Sequence, residues 1–321
     1  MQVSALLLAL ALSSGGAQPA KQAEPAEATT PAKAAQPSAS KPVEPVAAGK
    51  LLDCGELTCR HFDTPAKAFA YAISSKPLVL GLGEYHEIEG GPKVKSALKR
   101  FTESMLPLLK GKASDLIAET WITNGNCGKA EVEAKQQIEK ETERPATTED
   151  EVVTMLKKGS SLGIAPHILA VECEDYEDLL DDKGEIDNVR LLEMVTRLLR
   201  EKAEKLARDQ GPEGQAVVIY GGALHNDLSP SEELASFSFG PELKRSTGGR
   251  YVQLGLYVPE FIERDEETKQ AAWHPLFLKH VSTTKTLLIS LAPDAHLLIF
   301  PRSTKAAAKP ATKPAPAPAK R

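Results

Sequence analysis

Two short segments carry the residues best suited to chemistry. Leu78–Glu87 reads Leu-Val-Leu-Gly-Leu-Gly-Glu-Tyr-His-Glu, and Ala216–Asp227 reads Ala-Val-Val-Ile-Tyr-Gly-Gly-Ala-Leu-His-Asn-Asp. In each, an apolar run leads into Gly-x-x-His: Gly83 to His86, and Gly222 to His225. A neutral imidazole near pH 7 accepts a proton or ligates a metal. The small residues ahead of it let the chain turn sharply off a strand. Acids stand at comparable places: Glu84, Glu119 closing Ser114–Glu119, Glu172 closing Ala165–Glu172, and Asp227. Glu84 and Glu119 are expected to orient or charge His86 and His225, with all four side chains converging on one cleft. Glu84 stands two residues before His86 and is not expected to share its direction. Gly83, Tyr85, Gly222, Glu172 and Asp227 complete the candidate binding set.

Other motifs compete less well. Gly81-Leu-Gly83-Glu-Tyr-His86 has two of the three glycines of a dinucleotide fingerprint, and an imidazole at the third position opposes the close helix–strand packing that motif needs. Gly159-Ser-Ser161-Leu-Gly163 matches Gly-x-Ser-x-Gly. A nucleophile elbow follows a strand and precedes a helix; here the order is reversed, and Gly159 reads as a helix C-cap. His61, His167, His274, His280 and His296 are scattered, and Trp121 and Trp273 read as core. Glu172–Asp175 with Asp181-Asp182 reads as a solvated acidic face, without the ligand spacing of a calcium loop.

These residues need strands to hold them. Apolar runs at Pro77–Gly83, Ser114–Glu119, Ala165–Glu172, Ala216–Tyr220 and Tyr251–Val258 predict strands. Thr286–Ala292 and Ala295–Phe300, split by Pro293-Asp294, predict a terminal hairpin. Between them, helical periodicity appears at Thr64–Ser74, in a segment with Val94, Leu98, Phe101, Met105 and Leu108 on one face that Pro107 should kink or end, and at Glu131–Lys140, Glu149–Lys158 and Asp187–Arg208. In the last, Val189, Leu192, Val195, Leu199 and Leu206 should face inward. The alternation predicts a single α/β domain: a mostly parallel central sheet with helices on both faces. Ligands of such sheets bind outside the carboxyl ends of the strands, where these histidines and acids fall.

The chain has 321 residues and a formal charge of −5. That balance speaks against nucleic-acid binding by the domain. Residues 1–17 read as a secretory signal without a basic front, with no Cys placed for lipid attachment. Residues 18–50 are an Ala/Pro/Lys linker, 51–303 the domain, and 304–321 a basic Ala/Pro/Lys tail suited to an anionic envelope surface. The expectation is an exported protein, periplasmic or secreted and not a lipoprotein. The four cysteines fit disulfides in such a compartment. Cys54–Cys59 would close a short loop and leave Cys127 with Cys173; in a reducing compartment all four would be thiols, so the pairing stays open.

The ordered motifs resemble a superfamily that joins erythromycin esterase-like enzymes, ChaN-like haem-uptake proteins and the Tiki/TraB group. Leu82-Gly83-Glu84-Tyr85-His86 matches its first motif, Ala118-Glu119 its intermediate acid and Gly222-Ala-Leu-His225 its second histidine, over roughly residues 75–260. The resemblance implies one of three activities: a His base opening a lactone, a metal-dependent peptidase, or a haem-binding protein. It also implies an arginine, for which Arg100 is the nearest candidate. The leading expectation is a hydrolase of an ester, lactone or peptide that activates water through His86 or His225. A divalent metal on His86, His225 and Glu119 is one form of that reading. The alternative is a non-catalytic protein binding haem or another envelope ligand, with Tyr85 and the histidines as iron ligands. Cofactor, small-molecule or peptide substrate, and oligomeric state stay open.

Overall fold

The computed structural model describes residues 47–304 apart from Ile88, Glu143, Ala146, Asp182, Arg264, Asp265 and Glu267. The signal and most of the linker and basic tail read above lie outside the described residues, as does Asp182 of the acidic run.

Nine strands form one sheet: β1 (Lys50–Leu52), β2 (Thr58–Phe62), β3 (Val79–Glu84), β4 (Ala113–Thr123), β5 (Ala165–Val171), β6 (Ala216–Gly222), β7 (Tyr251–Tyr257), β8 (Thr286–Ala292) and β9 (Ala295–Ile299). Their order is β1-β2-β8-β9-β7-β3-β6-β4-β5. The half from β9 to β5 is parallel, and β1, β2, β8 and β9 pair antiparallel, with β8–β9 as the expected hairpin. The helices are α1 (Pro65–Ala72), α2 (Ala97–Ser104), α3 (Gly128–Thr142), α4 (Thr147–Ser161), α5 (Cys173–Asp178), α6 (Asn188–Gln210), α7 (Ala223–Asn226), α8 (Gly240–Ser246), α9 (Pro259–Ile262) and α10 (His274–His280).

β3 and β6 are buried along their whole length, as strands covered on both faces must be. Alternation sorts their side chains. Leu80, Leu82, Leu116, Ala118, Val218 and Tyr220 pack with α1, α2 and α4 on one face. Val79, Ile117, Val217 and Ile219 pack with α3, α5, α6 and α8 on the other.

Local chemistry sets the helix limits. Ser96 Oγ accepts from Lys99 N at 3.0 Å and starts α2, later than Val94, while Pro107 falls in the 3-10 turn after α2 ends. Asp187 Oδ1 accepts from Val189 N at 2.8 Å and starts α6. Val189 itself is 51% exposed, because the first turn overhangs the core, so its expected inward placement is corrected. α4 runs through Gly159 to Ser161; the residue with left-handed backbone there is Gly163, at φ 82°. Gly159 packs on Leu116 within the helix and is not the cap. Ser161 Oγ donates to Lys158 O at an exposed helix end. Both disulfides form, Cys54–Cys59 and Cys127–Cys173, which suits an oxidising compartment. Among the described residues no helix is long and apolar enough to cross a membrane.

Candidate active site

The first pair is Glu84 and His86. Glu84 is the last residue of β3, and His86 lies two residues on. Residues i and i+2 of an extended chain face the same way, so the expectation that they diverge is corrected: His86 Nδ1 is 2.9 Å from Glu84 Oε1. His86 is 1% exposed. An ionised carboxylate only accepts, so Nδ1 carries the proton and the neutral ring leaves Nε2 bare. His86 Nε2 is buried without a hydrogen-bond partner.

Glu84 is held by more than the imidazole. Tyr220 Oη donates to Glu84 Oε2 at 2.5 Å, placed there by the register Leu82–Tyr220 on adjacent strands. Arg144 Nη2 lies 3.3 Å from Oε1 as a buried ion pair, its side chain 6% exposed. Burial pushes Glu84 above the ordinary carboxylate range, while Arg144 and then Tyr220 pull it back. Burial and then Glu84 raise Tyr220, which keeps its proton to donate. Burial brings the Arg144 guanidinium down to about 10, against the pull of Glu84, and it stays charged near neutrality.

The second pair is Glu119 and His225, both 0% exposed. Glu119 Oε2 accepts from Gly222 N at 2.6 Å. Glu119 packs over Gly221, where any Cβ would overlap its carboxylate. His225 Nδ1 is 3.0 Å from Phe237 O and 2.8 Å from Thr196 Oγ1. A carbonyl only accepts, so this ring too is protonated at Nδ1 when neutral. Its Nε2 has no hydrogen-bond partner and stands 3.7 Å from Glu119 Oε1.

The four side chains expected to meet in one cleft are divided by the sheet. Glu84 shares a face with Leu82 and Tyr220, whereas Glu119 shares one with Ile117 and Trp121. Glu84 is in register with Gly222, and Glu119 bonds the Gly222 amide. The pairs therefore straddle the end of β6 at a common rim. The pairing register of β4 on β5 shifts between Ile117 and Trp121, and Glu119 lies in that irregular stretch, as residues aimed at sites often do. Gly83 lets α7 close over β3, for a Cβ there would come 2.7 Å from Ala223 Cα.

The remaining expected residues lie elsewhere. Tyr85 is half-buried and stacks on Tyr257 with ring centroids 6.3 Å apart. Glu172 is exposed at the sheet edge; its carboxylate accepts from Asn124 Nδ2 at 2.6 Å, and its amide donates to Asp175 Oδ2 at the start of α5. Asp227 Oδ1 accepts from Ser229 N, capping its own turn. Arg100 donates to Lys95 O and Ser303 Oγ and lies over the Phe300 ring; it ties down the C-terminal segment, and the arginine at the site is Arg144. Arg144 and Tyr220 were missed by sequence reasoning. Arg144 sits 60 residues from Glu84 beside a proline, with no local pattern to mark it. Tyr220 reads as one more apolar strand residue, and only strand register brings it to Glu84.

A cleft of ≈ 810 Å³ lies between the loop after His86, α2 and α4, with Glu87, Ser96, Lys99, Thr102, Glu103 and Glu151 among its walls. Glu87 in its wall follows His86 in the chain, and burial, then Glu151 and Glu84, push Glu87 up. Donor geometry does not suit the expected metal set. His86 is bound to Glu84, His225 faces Glu119 alone, and among the described residues no three His, Cys, Asp or Glu side chains are grouped to hold a metal ion. No family model, curated protein or solved structure matches this chain.

Proposed function

We propose that the protein is a hydrolase of ester, lactone or peptide bonds in which His86 is the general base. The observation that carries this reading is the bare Nε2 of a buried imidazole whose Nδ1 is fixed by Glu84. Water bound at Nε2 gives up a proton to the ring as its oxygen attacks the substrate carbonyl. The proton then passes from the imidazolium to the departing oxygen or nitrogen as the acyl bond breaks. Glu84 stabilises the imidazolium, and Tyr220 and Arg144 hold Glu84 in place. Substrate reaches the pair from the adjoining cleft. His225, closed in by Thr196 and Phe237 O, fixes the rim with Glu119 and does not exchange protons with substrate. The two disulfides accord with work in an exported, oxidising setting.

The test is a panel of esters, lactones and peptides presented to purified protein in H₂¹⁸O. Turnover with one ¹⁸O in the product acid, lost in His86→Ala with the fold retained, is the expected result. No turnover by the wild type, together with a visible haem band or saturable ligand binding, would put a binding protein in its place.

A further inference from the structure

Arg144 is used on one side only. Nη2 makes an ion pair with Glu84 Oε1 without hydrogen-bond geometry, and Nε and Nη2 are both buried with no hydrogen-bond partner. Nε and Nη2 form one edge of the guanidinium, on which two N–H bonds point the same way. That edge receives a carboxylate or phosphate through two parallel hydrogen bonds. A buried guanidinium whose Nε and Nη2 N–H bonds are not accepted is costly unless a ligand accepts them. Arg144 Nη2 and His86 Nδ1 reach the same oxygen of Glu84, so the guanidinium lies beside the imidazole.

We propose that this edge of Arg144 is the seat of a carboxylate carried by the substrate, within a few bonds of the scissile carbonyl. The inference rests on the hydrolytic reading of the Glu84–His86 pair and narrows it to carboxylate-bearing acyl compounds, such as peptides cut near a free C-terminus. A singly charged group is favoured over a phosphate dianion. Arg144 already balances Glu84, and Glu87 and Glu151 stand near, so a second negative charge on the ligand would meet repulsion.

Two readouts test this. Acetate and inorganic phosphate are titrated into the full-length protein by thermal shift, with no turnover required. Acetate should bind saturably and better than phosphate. Arg144→Lys, which keeps the charge and loses the fork, should weaken acetate roughly 10- to 100-fold. In the second readout, matched substrates with a free carboxylate or its methylamide are compared. Both Arg144→Gln and Arg144→Lys unsettle Glu84 and so lower kcat on either form, whereas KM should rise for the carboxylate form and not for the methylamide. The proposal is overturned if acetate does not bind, if phosphate binds better, if Arg144→Lys binds acetate as the wild type does, or if KM rises equally for both substrate forms. Because acetate binding is read without catalysis, a failed hydrolysis panel leaves it standing as a carboxylate site.

Discussion

His86 and His225 sit in the same sequence grammar, Gly-x-x-His beyond a buried strand, and each ring is protonated at Nδ1 with Nε2 bare. Their surroundings differ. His86 is oriented by a carboxylate that has its own retinue of Tyr220 and Arg144, beside a cleft. His225 is oriented by a backbone carbonyl and a threonine hydroxyl, beneath α6, and its carboxylate neighbour is occupied with the Gly222 amide. An anionic partner stabilises an imidazolium during proton transfer; a carbonyl fixes a ring without offering a full charge. The pattern Gly-x-x-His thus specifies where a histidine sits, and what bonds its Nδ1 decides what the histidine does.

Substitutions that separate the pairs sharpen this contrast. Among the residues that surround the two rings, the largest effect is expected for Glu84→Gln, which leaves Nδ1 a neutral partner: kcat should fall about 10²- to 10³-fold. Its pH behaviour has a sign. Burial raises Glu84 in the folded state, so the folded protein holds that proton more tightly than the unfolded chain, whose Glu titrates near 4.3. The associated stability is present below the unfolded value and is lost as pH rises through the folded one. Activity moves oppositely, rising with pH as Glu84 ionises. Pressing this limb out of the pH–rate profile by Glu84→Gln is the result to look for; a limb that survives assigns it to another group.

His225→Gln comes next and should act on stability. Losing the bonds to Phe237 O and Thr196 is expected to cost about 1–3 kcal/mol, and Tm to drop roughly 2–4 °C per kcal/mol for a domain of this size. Turnover per folded molecule should hold. The smallest effect is expected for Thr196→Val. Its hydroxyl bonds Leu192 O and His225 Nδ1, and its loss should cost about 1 kcal/mol in denaturant melts with kcat unchanged. A drop in kcat without a drop in stability, for either variant, would erase the distinction between the pairs.

Much of the frame was legible in the chain. Continuous apolar runs marked the strands of the parallel half, and the histidine motifs marked their carboxyl ends. The N-terminal β1–β2 hairpin was not, because Lys50–Leu52 is too short and exposed to show a period. The split between Glu84 and Glu119 depended on which face each strand presents to which helix, and that follows from register across strands far apart in sequence. Arg144 was invisible for a related reason: it stands 60 residues from Glu84 in the chain and meets it only in the fold.

The account stands most directly on kcat for His86→Gln, measured against wild type and His225→Gln on the best substrate of the hydrolysis panel, with Tm recorded for all three. It predicts a fall of about 10²- to 10⁴-fold for His86→Gln at nearly unchanged Tm, and near-wild-type kcat with a lowered Tm for His225→Gln. Undiminished turnover in His86→Gln, or its loss in a fully stable His225→Gln, would contradict it.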